Sequence, residues 1–290
     1  MKGNTRKNWF NVFNYTLMIL LSIIFLYPIV YTFSVSFSDA GSILAGKVIL
    51  LPKNFNVEAY KAVLSDKKNL TALWFTVRLT VFGVALSLIM TTLAAYPLSR
   101  KNLKGAGIVL GFIVFTMYFD GGLIPNYILL KNLNLLNKMG ALIFPRAISP
   151  FLMIIMMTYF RGIPKEPEEA AVIDGCSNIG AFLRIILPVS TPIYGTLAVY
   201  YAVSYWNTFF EALLYIQEST KFTLQLRLYQ VLNVVGDSIL SHMDVASSRV
   251  IITENMKAAT VVITIVPIIC VYPALQKYFV KGATLGAIKG

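Results

Sequence analysis

The chain reads as an all-α, polytopic membrane protein with six transmembrane helices. Three observations predict this class. Of its 290 residues 57% are hydrophobic and 13% charged, the mean hydropathy is +0.69, and the apolar residues gather in runs of about 20, the length that crosses roughly 30 Å of hydrocarbon.

The first run, 13–33, follows Lys2, Arg6 and Lys7. It is too long for the apolar region of a signal peptide and no small-x-small cleavage pattern follows, so a retained anchor with a cytoplasmic N-terminus is expected. The second run, 73–96, carries Arg78. The third, 108–130, is interrupted by Asp120, Gly121, Gly122 and Pro125, which predicts an end to the span near Phe119. The fourth, fifth and sixth cover 142–160, 193–210 and 258–280. An even number of crossings places the tail, with Lys277, Lys281 and Lys289, on the side of the N-terminus. Arg100, Lys101 and Lys104 in a compact loop face the same way, as the positive-inside rule requires. Lys47, Lys53, Lys61, Lys67 and Lys68 fall in the first outer loop, so the orientation rests on the short loops. The expected organisation is a cytoplasmic segment 1–12, a membrane domain 13–280 with a cytoplasmic loop 161–188, and a cytoplasmic tail 281–290.

Loop 161–188 is the most informative stretch. Pro164 lacks an amide donor and suits the first turn of a helix opening just after Gly162. Glu166, Glu168 and Glu169 then lie at the positive end of the helix dipole, and Ala170 and Ala171 leave a flat face against which another surface can press. Gly175 is expected to end this helix in a left-handed conformation. Ser177 or Asn178 caps a second helix through Ile185, and Pro188 opens the next apolar span. The prediction is a helix, a bend and a helix between two membrane segments.

The run Glu169-Ala170-Ala171, three residues, Gly175, nine residues, then Ile185-Ile186-Leu187-Pro188 resembles the cytoplasmic loop of permease subunits of ATP-binding-cassette (ABC) importers. Further segments look like the carbohydrate-uptake branch, and most like importers of polysaccharide fragments in Gram-positive bacteria. They are Met117-Tyr118-Phe119-Asp120-Gly121-Gly122-Leu123-Ile124-Pro125-Asn126-Tyr127, the pair Trp206-Asn207, and the tail from Gln276 through Ile288-Lys289-Gly290. The likeness covers essentially the whole chain; Cys176, where these permeases often have Ala, is a small departure. The resemblance implies a type I ABC importer permease fold in the bacterial cell membrane, with the loop acting as a coupling helix seated in a groove of an ATPase subunit. Glu169, Ala170, Ala171, Asp174, Gly175, Leu187 and Pro188 would then do the coupling, with Glu169 the leading contact to the ATPase. The implied partners are a second, non-identical permease, two ATPase subunits that bind ATP and Mg, a lipid-anchored or periplasmic solute-binding protein, an oligosaccharide cargo and the lipid bilayer. No cofactor is implied for this chain itself.

Other chemistries find little support. The net charge of +12 is scattered over loops and termini and forms no stripe for nucleic acid. Cys176 is expected in the cytoplasm and Cys270 within the last span, so no disulfide follows, and His242 has no second ligand nearby. Gly41-Ser42-Ile43-Leu44-Ala45-Gly46-Lys47 has the spacing of a phosphate loop, but Val48 replaces the Ser or Thr that would hold magnesium. Asn69-Leu70-Thr71 matches a glycosylation acceptor, a pattern short enough to arise by chance. With no catalytic triad or metal cluster, the chain is read as a transport subunit without a catalytic site, its energy supplied by another chain.

For the cargo path, Tyr118, Asn126, Tyr127, Tyr201, Tyr205, Trp206, Asn207 and Glu211 offer aromatic faces and hydrogen bonds within or near spans. An equal alternative places Tyr205, Trp206 and Phe210 in an aromatic belt at the membrane interface. Arg78 and Arg146, both toward the outer side, suit an acidic oligosaccharide, or else headgroups or acids of a companion permease. Competing classes are an importer for another small solute, a self-contained secondary transporter, and a membrane-embedded enzyme. The second lacks an intramembrane carboxylate pair or a repeat, and the third lacks convergent catalytic groups.

Overall fold

Backbone amides placed in hydrocarbon have no water to bond, so an apolar chain has to close its own hydrogen bonds, which a helix does within one segment. The computed structural model describes residues 4–100, 103–164, 166–240 and 254–287, and every regular element among them is helical. Helix α1 (Asn4–Ser36) is followed by α2 (Ala40–Leu44), α3 (Glu58–Ser65) and α4 (Lys67–Ser99). Next come α5 (Ala106–Tyr118), α6 (Leu123–Asn132), α7 (Gly140–Ile143) with a 3₁₀ turn Phe144–Arg146, and α8 (Pro150–Gly162). The loop region holds α9 (Glu166–Ile173), α10 (Asn178–Ala181), a π turn Phe182–Ile186 and α11 (Leu187–Val189). The chain continues with α12 (Thr191–Trp206), α13 (Phe210–Tyr215), α14 (Leu224–Leu240) and α15 (Glu254–Ala287).

The expected spans map onto these helices with instructive differences. The runs 13–33 and 73–96 lie inside α1 and α4, each 33 residues long. The third is bent by 116° between α5 and α6; α5 ends at Tyr118, as Asp120, Gly121 and Gly122 predict. The fourth is not continuous. Pro145 and Pro150 each remove an amide donor, Ser149 caps α8 at the Leu152 amide (3.5 Å), and the two pieces meet at 51°. The fifth ends at Trp206, with Phe210 in a separate helix, and 258–280 lies inside α15. Among the described residues two helices are long and apolar enough to cross a membrane by themselves, or up to five if each bent pair is one span. His242, Lys101 and the terminal Ile288-Lys289-Gly290 lie outside the described residues.

Two compact units are formed, one drawn from Met1–Leu70 and Leu228–Val266, the other from Thr71–Arg227 and Pro267–Gly290. In the first, Ala59 and Val63 of α3 pack on Ala259 of α15. Phe37 stacks on Phe55 and Tyr60 at 5.4 and 4.7 Å, and Ser36 bonds the Tyr60 hydroxyl at 2.7 Å. Residues 41–47 here form α2 and a turn, with Ser42 accepting from Asn54 at 3.1 Å rather than a strand-to-helix phosphate loop. Most large apolar side chains of α1 from Trp9 to Tyr31 are exposed, which suits a helix whose solvent is lipid.

The second unit is built on α4 and α12, which run antiparallel. Its core includes Phe75, Leu79, Met153, Met156, Phe160, Leu197, Tyr201 and Tyr205. Across it, Ser87 bonds the Tyr205 hydroxyl at 2.8 Å, Thr91 the Tyr201 hydroxyl at 2.6 Å, and Thr92 the Tyr194 hydroxyl at 2.9 Å. Ser87 and Thr91, one turn apart, thus face Tyr205 and Tyr201, also one turn apart, and each of these hydroxyls finds a partner, whereas the buried Thr80 hydroxyl of α4 has none among the described residues. Gly83 lets the Tyr205 ring approach, since a Cβ there would sit 2.8 Å from three ring carbons. Gly83→Val is therefore expected to cost about 1–3 kcal/mol and to lower the unfolding midpoint in a thermal melt of the detergent-solubilised protein. Gly111→Ala, with no atom within 4 Å of the added carbon, is expected not to lower it.

Candidate functional site

The loop after α8 folds as a helix, a bend and a helix. Glu166, Glu168 and Glu169 occupy the first turn of α9. The expectation for Pro164 is corrected: α8 continues to Gly162, Pro164 lies in the link, and Pro167 takes the first-turn position, where the missing amide would be unpaired in any case. Gly175 adopts φ +83° and closes α9 with two bonds, from its own amide to the Val172 carbonyl (3.0 Å) and from the Cys176 amide to the Ala171 carbonyl (2.9 Å). This is the Schellman arrangement that a left-handed residue permits. Ser177 then caps α10, accepting from the Gly180 amide at 3.2 Å.

Pro188 also differs from its expected place. It sits in α11, and Pro192 takes the opening turn of α12. The turn before Pro188 is of π type, with the Leu187 amide reaching back to the Phe182 carbonyl. A widened turn accommodates a ring that would crowd the carbonyl four residues earlier. The chain bends by 75° between 178–189 and α12.

Burial divides the elbow into two faces. Glu169, Ala170, Asp174, Gly175, Leu187 and Pro188 are exposed and Ala171 is half-buried. Ile173 is 85% and Ile179 73% exposed, beside the exposed Val172 and Leu183. The inner face is held by Glu168, for which the sequence indicated only a dipole effect. Its carboxylate pairs with Arg100 at 2.6 Å and accepts from the Tyr96 hydroxyl at 2.8 Å. The Arg100 guanidinium lies 4.5 Å from the Tyr96 ring centre, and that ring also meets Phe182 at 4.4 Å and Phe160 edge-on at 5.7 Å. Arg161, at the end of α8, donates to the Leu98 carbonyl at 3.3 Å.

The candidate path residues separate into several environments. Tyr118 is exposed at the end of α5, Asn126 donates to Asp120 at 3.2 Å, and Tyr127 faces Tyr215 at 6.3 Å. Tyr205 is buried, its hydroxyl engaged by Ser87. Trp206 is buried beside an apolar groove of about 470 Å³ shared with Trp74, Val77 and Val203. Asn207 accepts from Gln225 at 3.0 Å. Glu211 forms an ion pair with Arg146 at 3.3 Å, so the acid beside Arg146 comes from this chain. Arg146 also donates to Thr208 at 3.1 Å and to the Ser204 hydroxyl. Arg78 is exposed, its Nε donating to the Trp74 carbonyl at 3.4 Å. A cavity of about 420 Å³ opens beside Arg146, lined also by Ser149, Tyr200, Tyr201, Ser204 and Tyr205. Tyr200, Ser149 and Ser204 were not singled out in the sequence; the four-residue step from Tyr200 to Ser204 was the available signal. Among the described residues no group of three or more His, Cys, Asp or Glu is placed to hold a metal ion.

No family model matches the chain. It is 42% identical over 263 residues to Protein LplC of Bacillus subtilis (strain 168), covering 91% of this chain and 89% of that protein. To the polygalacturonan/rhamnogalacturonan transport system permease protein YtcP of the same organism it is 37% identical over 285 residues, 98% of this chain and 100% of that protein. A chain in the crystal structure of a bacterial ABC transporter involved in the import of the acidic polysaccharide alginate superposes with a TM-score of 0.86 at 31% identity, over 95% of this chain and 98% of that one. Carrying the coupling-loop spacing on a bent, exposed elbow, and matched along nearly its whole length by such relatives, the chain belongs to the permease subunits of ABC importers, in their carbohydrate-uptake branch.

Proposed function

We propose that the chain is one membrane-spanning half of an ATP-driven importer of oligosaccharides, with acidic polysaccharide fragments as the cargo class. The observation that carries the mechanism is the elbow, in which an eight-residue helix exposes Val172 and Ile173 and the segment beyond its Gly-terminated bend exposes Ile179. Apolar side chains this exposed outside a span mark a surface that another protein covers. In this reading an ATPase subunit covers it on the cytoplasmic side, where both termini also lie. A second, different permease completes the membrane path, a further ATPase completes the motor, and a solute-binding protein delivers cargo from outside. Closure of the ATPase pair on binding ATP pushes the elbow, and the spans convert the push into alternating access. The chain performs no covalent chemistry.

The cargo class rests on the relatives that handle polygalacturonan, rhamnogalacturonan and alginate and on the cavity beside Arg146. Its hydroxyls and tyrosine edges suit a sugar, and a half-exposed guanidinium suits a carboxylate. A uronate entering there would exchange with Glu211 for the same cation.

Purification of the tagged chain from its native membrane is expected to recover an ATPase and a second permease; recovery of the chain alone overturns the proposal. Ile173→Asp is expected to reduce the recovered ATPase sharply. In vesicles supplied with the binding protein, Gly175→Val is expected to lower uptake, because a β-branched residue held at positive φ costs about 1–3 kcal/mol. Arg146→Gln is expected to lower uptake of oligouronates about tenfold relative to neutral oligosaccharides, the loss of one charge-assisted contact. An unchanged ratio would count against acidic cargo at this site.

A further inference from the structure

The acids of the elbow are not equivalent. Glu166, Glu169 and Asp174 are exposed, whereas the Glu168 side chain is 19% exposed and turned toward the end of α4. Helix α9 buries no residue and has eight residues, too few to hold its shape or direction alone. Without a tether, a push on its outer face would rotate it about its two links rather than displace α4. The tether present is the ion pair with Arg100 and the hydrogen bond from Tyr96, two residues one turn apart on or just past the last turn of α4. The same Tyr96 ring packs on Phe160 of α8 and on Phe182 beyond the bend. One side chain of α9 therefore meets a junction of three segments.

We infer that Glu168 is a positioning residue for energy coupling: its contact with Arg100 and Tyr96 makes α9 and α4 move as one body, so displacement of the elbow reaches the path through the Ser87–Tyr205 and Thr91–Tyr201 contacts with α12. This rests on the proposed ATP-driven function and assigns Glu168 a role apart from the exposed contacts of Glu169 and Ile173. Those hold the motor, and Glu168 passes its motion inward.

The test is the ratio of sugar transported to ATP hydrolysed by the complete complex in proteoliposomes, with the amount of bound ATPase measured alongside. Glu168→Gln and Arg100→Gln are each expected to lower the ratio about fivefold or more while the ATPase stays bound. Tyr96→Phe, which keeps the ring, is expected to lower it less. The exchange Glu168→Arg with Arg100→Glu is expected to recover much of the loss, which a mere packing role would not produce. An unchanged ratio in the single variants overturns the inference, as does loss of transport that only follows loss of bound ATPase. If the unaltered complex shows no ATP-driven uptake, the proposed function itself fails, which separates the two outcomes.

Discussion

A polar group carried into an apolar interior has to find its partner there, because water is not at hand to supply one. The second unit of this protein is organised by that constraint. Helix α4 brings Thr76, Ser87, Thr91 and Thr92 into the core, and each is met: by the Leu224 amide at 2.8 Å, by Tyr205, by Tyr201 and by Tyr194. These bonds fix the register of α4 against α12 more sharply than leucines would, since a shift by one residue would strand several hydroxyls at once. Arg146 obeys the same rule through Glu211, Thr208 and Ser204, whereas Arg100, though ion-paired with Glu168, keeps a buried Nε without a hydrogen-bond partner among the described residues.

The proposed function is laid along the same framework. At one end of α4, Tyr96 and Arg100 receive the elbow. Toward the other, the hydroxyl contacts hand α4 to α12, whose Tyr200, Tyr201 and Ser204 line the cavity beside Arg146. Two groups of polar contacts, joined by the backbone of α4, thus lie between the exposed loop and the cavity within one compact unit. The groove around Trp74 and Trp206 flanks these contacts, and its lining, apolar but for Thr80, suits packing or lipid better than sugar.

What could be read from the sequence was local. The elbow's bend was legible in Gly175 and its following cap in Ser177, because a left-handed glycine and a capping serine act within a few residues. Asp120, Gly121 and Gly122 likewise announced the end of α5. The break in the fourth run also had local signals, Pro145, Ser149 and Pro150, which the apolar composition around them masked. The Glu168 contacts were not legible: Tyr96 is 72 residues away, and an acid early in a helix is already accounted for by the dipole. Tyr205 presents the converse case. Its aromatic ring near polar neighbours reads as a cargo contact or an interface residue, whereas its surroundings are decided by Gly83 and Ser87 on another helix.

The π turn at Phe182–Ile186 bears on how much length variation this region tolerates. Such a turn holds one residue more than an α-helical turn over the same rise, and each residue in a helix accounts for about 100° of rotation. Deleting one residue between Gly175 and Ile185 would let the turn relax to regular α geometry with the flanking backbone nearly in place. Inserting one has no such slack to use and would swing α11 and the entry to α12 around the helix axis. The nine-residue spacer is in this sense an angular setting, and the region is expected to accept shortening more readily than lengthening.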